Sequence, residues 1–158
     1  MKKALYLTMA MLILLTGLTG CSTGAASNGS ATYKDGTYRA EFSDFDSHGW
    51  KAFVEVTVKD DKFTEVVIDY LDADGNKKSA DEEYKTTWQS VNPDMYPEKA
   101  YNELRDQLLD KQDITKIDGV SGATSTTDNF KTLVGALESN MKSGNTDTVI
   151  VDLPKESE

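Results

Sequence analysis

The chain contains a single cysteine, Cys21, in 158 residues, and that lone thiol constrains the fold more than any other feature. It closes a leader: Lys2 and Lys3 form a basic n-region, an apolar run broken only by Thr8 covers residues 4–15, and "LTGC" occupies residues 18–21. That order reads as an export signal, and its apolar core falls short of the roughly 20 residues that span a bilayer. Exported small domains commonly rely on disulfides, and a chain with one cysteine can form none internally. The exported fold therefore has to be held by its hydrophobic core.

The end of the leader resembles the lipobox of bacterial lipoproteins, in which a small residue, here Gly20, precedes a cysteine that is lipidated and becomes the first residue of the mature protein. The resemblance implies a signal peptide over residues 1–20 and a lipid on Cys21, whose two or three acyl chains would hold a membrane surface far better than one. Residues 21–32 form a flexible tether. Its spacer "STGAASNGSAT", residues 22–32, has a root-mean-square reach of roughly 18 Å. Loss of residues 1–20 removes two lysines and no acids, leaving 27 acidic against 15 basic groups, a net charge of −12. Nucleic acid and anionic lipid headgroups are poor partners for such a surface.

Residues 33–153 are long enough for one domain with its own core, and residues 154–158 are a short tail. "GTYRAEFS" at 36–43 and "AFVEVTVKD" at 52–60 alternate in side-chain character, and "KFTEVVIDYLD" at 62–72 is rich in β-branched and aromatic residues, so three strands are expected. The tight polar link through Asp60 and Asp61 predicts a hairpin, and "DADGN" at 72–76 ends the run with turn chemistry. Ser79 with Glu82 is a capping-box pattern before a short helix carrying Tyr84 and Trp88 on one face. Pro97 suits a first helical position, after which Ala100, Tyr101, Leu104, Leu108 and Leu109 make an apolar stripe. Residues 114–118 read as a short strand or extended entry to a loop. Phe130, Leu133, Val134, Leu137 and Met141 predict one helix stopped by Gly144, and residues 146–153 a final strand. The fold class is α+β: one small domain with an antiparallel sheet built from hairpins and about three helices.

Between the extended segment and the helix led by Phe130 lies "DGVSGATSTTDNF", residues 118–130. A helix start presents unpaired N–H groups and the positive end of a dipole, which suits a phosphate. Gly122 and Ala123 permit close approach, while Ser121, Thr124, Ser125 and Thr126 offer hydroxyls. At Ser125, Thr126 and Thr127 the same hydroxyls also suit helix N-capping. The chain has neither a G-x-G-x-x-G nor a G-x-x-x-x-G-K-[ST] loop, and no G-x-S-x-G elbow; its one histidine is His48. Nucleotide loops of those types and a Ser-His-Asp triad lack their motifs, and a zinc site lacks its usual Cys/His ligands.

Residues 118–124, "DGVSGAT", resemble the flavinylation motif D-x-x-[ST]-G-A-T of FMN-binding domains, which include subunits of sodium-pumping and Rnf-type respiratory complexes and many small Gram-positive lipoproteins. The likeness extends over "YKDGTYRAEFSDFDSHGW" at 33–50, the following hairpin and the run "QLLDKQDITKIDGVSGAT". It implies FMN joined covalently through its phosphate to the Thr124 hydroxyl, installed by a flavin transferase that uses FAD and magnesium. Asp118 would be read by the transferase or orient the loop. Gly122 and Ala123 would let the loop enter the transferase, with Ser121 and Ser125 completing the cofactor-binding set. Trp50, Tyr84, Trp88 and Tyr96 are candidates to pack on the flavin ring or are plain core, and His48 touches flavin or sits in a surface turn. The resemblance implies a membrane-anchored electron carrier in extracellular electron transfer or a related respiratory route, exchanging electrons with a redox donor and acceptor and turning over no substrate of its own. Two other readings stand beside it: non-covalent binding of FMN or another phosphate-bearing ligand, and a leader that is itself released as a signalling peptide.

Overall fold

A computed structural model describes residues 32–154; the leader, Cys21 and most of the tether lie outside the described residues. Three strands, β1 (Gly36–Phe42), β2 (Lys51–Lys59) and β3 (Lys62–Leu71), form an antiparallel meander. Asp60 and Asp61, with φ of 52° and 59°, make the two-residue link between β2 and β3. Positive φ at both central residues matches the right-handed twist of a hairpin, which is why so short a polar link suffices.

Register puts one face of this sheet into the core. Tyr38 lies opposite Val56, Ala40 opposite Val54, and Ile68 opposite Val54 from the other side, all buried. An irregularity at Thr57/Val58 pairs Thr57 with Glu65 but Val58 with Phe63, so that Thr64 is an extra residue in β3. Without it Phe63 and Val66 would point to opposite faces; with it both are buried. The reverse face is polar, carrying Arg39 paired with Glu41 at 2.9 Å and Glu55 at 3.2 Å, and Lys51 paired with Glu41 at 2.9 Å. The Arg39 guanidinium also lies 4.1 Å from the centre of the Phe53 ring and covers it.

Helices cover the apolar face. α1 (Glu82–Val91) contributes no fully buried residue, whereas α2 (Pro97–Lys111) buries Ala100, Tyr101, Leu104 and Leu108, with Leu109 half-buried. α3 (Thr124–Ala136) buries Phe130, Leu133 and Val134, and the short α4 (Glu138–Ser143) buries Met141. The predicted single helix is thus two, separated at Leu137, and Gly144 in the left-handed region (φ 79°) ends the second. β4 (Val149–Val151) then pairs with β1 in parallel, giving the order β3-β2-β1-β4. The domain is α+β as expected, but its sheet is mixed, because the chain returns across the helical layer and not through a hairpin.

Two local expectations are corrected. Asp81, not Ser79, caps α1, accepting from Tyr84 N at 2.9 Å, while Ser79 belongs to a 3₁₀ turn (Lys78–Ala80). Residues 114–116 form another 3₁₀ turn, in which Asp113 accepts from both the backbone N–H and the hydroxyl of Thr115.

Pro97 does open α2, and Gln112 closes it with φ 51°. The Gln112 amide then acts as a surrogate strand: Oε1 accepts from Phe63 N at 2.8 Å and Nε2 donates to Phe63 O at 2.9 Å, occupying the start of the edge strand β3. Gln112→Ala is expected to lower stability by about 1–2 kcal/mol in urea unfolding. Gln112→Gly should recover only the part due to the left-handed backbone.

Candidate functional site

β3 ends at a buried carboxylate. Asp69 Oδ2 accepts from Ser79 Oγ at 2.6 Å, and Oδ1 from Tyr70 N at 2.8 Å and Ser79 N at 3.2 Å. Between them Asp72 closes a turn by accepting from Asp74 N, Asn76 N and Asn76 Nδ2. These bonds fold the 3₁₀ turn back onto β3 and direct its first residue, Lys78, inward. Lys78 is only 6% exposed. Its ammonium lies 4.3, 4.6 and 5.4 Å from the ring centres of Tyr84, Tyr70 and Trp50. Burial pulls its pKa down to about 8, against the opposing pull of Asp46 and Asp69.

The β1–β2 connection supplies a second wall. Asp46 Oδ1 accepts from the backbone N–H groups of His48 and Trp50, both at 2.9 Å, and Gly49 turns the chain at φ 82°. Trp50 is buried with its ring 6.0 Å from that of Tyr84 and nearly edge-on; Tyr84 meets Trp88 in the same way at 5.9 Å. Burial raises the Tyr84 pKa, and the Asp46 charge adds to it. Tyr70 donates no charge to this wall either, since burial raises its pKa although its hydroxyl accepts from Asn129 Nδ2 at 3.0 Å.

The third wall is the start of α3. The turn before it closes through Ala123 N to Val120 O at 3.0 Å, with Gly122 at φ 77°. The backbone conformation at Gly122 calls for glycine, while the Asn92 amide that a Cβ would meet at 2.5 Å is the end of a side chain that can move aside. None of Ser125, Thr126 and Thr127 is the N-cap; Ala123 is, with no side-chain cap bond. Thr127 instead reaches behind the helix start, its hydroxyl accepting from Val120 N at 3.1 Å and donating to Ala123 O at 3.0 Å. The first turn of α3 therefore keeps its N–H groups unanswered by a capping side chain.

These walls enclose an open cleft of about 1270 Å³, larger than the ~300–1,000 Å³ of ordinary small-molecule pockets. Gly122, Ala123, Thr124 and Ser125 line it, together with Tyr70, Lys78, Tyr84, Trp88 and His48. Thr124 is the first helical residue and is exposed to the cleft. Asp118 and Ser121 are not brought to the cleft. Asp118 instead ties the loop to α2, its carboxylate accepting from Lys111 Nζ at 2.6 Å and its N–H donating to Gln107 Oε1 at 2.7 Å; the Lys111 contact holds its pKa below the usual range. Of the aromatic candidates, Tyr84 and Trp88 line the cleft, Trp50 packs behind Tyr84, and Tyr96 lies elsewhere, beneath Lys85 Nζ at 5.1 Å. Lys78, Tyr70 and Asp46 line the cleft without having been singled out by any sequence motif.

An α+β domain whose cleft joins an uncapped helix start, an open threonine hydroxyl and aromatic walls is a site for a phosphate-bearing aromatic ligand. The family model of the FMN-binding domain matches residues 48–137, more than half of the chain, and the chain belongs to that family. A 15 kDa lipoprotein of Treponema pallidum (strain Nichols) is 40% identical over 116 residues, covering 73% of this chain and 82% of that protein. The crystal structure of the CPE2226 protein from Clostridium perfringens superposes with a TM-score of 0.73 at 32% identity, covering 77% of this chain and 99% of that one. The cleft fits FMN in kind: the α3 start answers a phosphate, and Tyr84 and Trp88 offer ring surfaces.

The buried lysine makes a stability prediction. The unfolded chain keeps the Lys78 proton up to about its ordinary pKa of 10.5 and the folded chain releases it near 8, so between these values the native state binds fewer protons and stability rises with pH. Lys78→Met is expected to stabilise the protein by about 1–2 kcal/mol at pH 7. Chemical denaturation at pH 7, 9 and 10 should show that gain shrinking across the window.

Proposed function

We propose that this protein is a membrane-anchored, extracytoplasmic flavoprotein that carries FMN on Thr124 and relays electrons. One observation carries the reading: the Thr124 hydroxyl stands at the first position of an uncapped helix, open to a cleft of nucleotide size. When bound, FMN supplies reversible one- and two-electron chemistry. The chain's own residues do the rest. Thr124 Oγ1 provides the oxygen that a flavin transferase joins to phosphorus; with FAD as donor, the threonine O–H and the pyrophosphate bond are broken, a Thr–O–P bond forms, and AMP leaves. The N–H groups of the α3 first turn, which no side chain caps, would hold the phosphate. The buried bonds of Thr127 hold Val120 and Ala123 so that the loop keeps one shape.

The Asp118–Lys111 contact lies at the far end of the motif from Thr124, which supports a role for Asp118 in presenting the loop to the transferase. The lipoprotein relative supports anchoring of this chain through a lipid on Cys21. In this reading the chain is a carrier that exchanges electrons with separate redox donor and acceptor proteins and turns over no substrate of its own.

Co-expression with a flavin transferase followed by intact mass measurement under denaturing conditions tests the assignment. Wild-type chain is expected to carry one FMN-sized adduct and Thr124→Ala none. An adduct that survives in Thr124→Ala would move the linkage to another residue, and flavin that is stripped by denaturation would select non-covalent binding.

A further inference from the structure

Lys78 is buried without an ion-pairing partner among the described residues. The two carboxylates that influence it are engaged elsewhere, Asp46 with His48 N and Trp50 N, and Asp69 with Ser79 and Tyr70 N. Three aromatic rings surround the ammonium, and cation–π attraction offsets only part of the lost hydration. Among the described residues lining the cleft it is the one lysine or arginine, against Asp44, Asp46, Asp128 and Asp152. A lone buried cation on the wall of an otherwise acidic cleft is complementary to an anionic ligand group.

Bound FMN has two places for negative charge. Under the flavoprotein reading the phosphate on Thr124 would be held by the N–H groups of the α3 first turn, and a charge on the ring would need a separate partner. Two electrons and one proton added to the oxidised ring leave it with one negative charge. We propose that Lys78 supplies the positive charge that stabilises the reduced, anionic flavin ring in this cleft and so raises its reduction potential. The inference rests on the flavoprotein reading above.

The test is a spectroelectrochemical titration, with dithionite as electron donor, of the flavinylated wild-type protein, Lys78→Met and Lys78→Arg at pH 7. Lys78→Met is expected to lose at least tenfold in preference for the reduced over the oxidised ring, a fall in midpoint of about 30 mV for a two-electron couple. Lys78→Arg, which keeps the charge, should stay close to wild type. A Lys78→Met midpoint equal to wild type overturns the inference, as does an equal fall in Lys78→Arg, which a purely structural role would give. A Lys78→Met protein that folds by circular dichroism but takes up no flavin assigns the lysine to docking and also overturns it. Lys78→Gln serves as the neutral variant should methionine disturb the fold. Wild-type protein without flavin would instead sink the proposed function itself.

Discussion

A sheet buried on one face only is the constraint on which the rest of this molecule depends. With no internal disulfide available, stability has to come from apolar area, and the four-stranded sheet supplies it from the side that carries Tyr38, Ala40, Val54, Val56, Val66 and Ile68. α2 and α3 are the helices with enough buried residues to cover that face. α1, with none fully buried, meets the sheet side through the Tyr84 ring, which lies 6.0 Å from that of Trp50. The cleft lies where coverage stops, between the start of α3, the end of β3 and the β1–β2 connection. It is a margin of the core, which is why its walls combine buried rings such as Tyr70 and Trp50 with open polar groups such as Thr124.

At that margin the fold concentrates features that its interior avoids. An α-helix of 13 residues begins without a side-chain cap, a glycine holds a positive φ against Asn92, and a lysine is buried without an ion pair among the described residues. The missing cap and the buried lysine are each unfavourable by about a kilocalorie per mole or more, whereas the glycine takes its positive φ without strain. Elsewhere the same chain solves such problems locally: Asp81 caps α1, Gly144 ends α4, and Asp69 has its oxygens filled by Ser79 and Tyr70. Two other helices, α2 and α4, also start without a side-chain cap bond, so among the described residues the feature particular to the cleft is the buried lysine.

The strands and the two large helices were legible because each depends on a pattern of few residues. Alternation marks β1 and β2, Pro97 with its apolar stripe marks α2, and Phe130 to Val134 mark α3. What was missed depends on pairing at a distance. The extra residue Thr64 becomes visible only when Val58 meets Phe63, and the parallel direction of β4 only when it lies beside β1. Ser79 and Glu82 spell a capping box, but Asp69, ten residues earlier in sequence, claims the Ser79 hydroxyl and leaves the cap to Asp81. The site divides in the same way. "DGVSGAT" located the Thr124 end, a local motif, whereas Lys78 reaches the cleft only because β3 and the following turn are folded back by a buried carboxylate.

The charge on the cleft bears on why a covalent link is useful under the proposed reading. Among the described residues four aspartates and one lysine line it, so the summed field opposes a free flavin phosphate, and the α3 dipole contributes only about half a charge in its favour. Reversible affinity for FMN would therefore be modest, and outside the cytoplasm a dissociated cofactor is diluted without limit. A phosphoester removes affinity from the problem, because a tethered ring meets its walls at roughly millimolar effective concentration however weak each contact is. The acidic walls are then free to serve the redox properties of the ring, with a single buried lysine setting the balance against them.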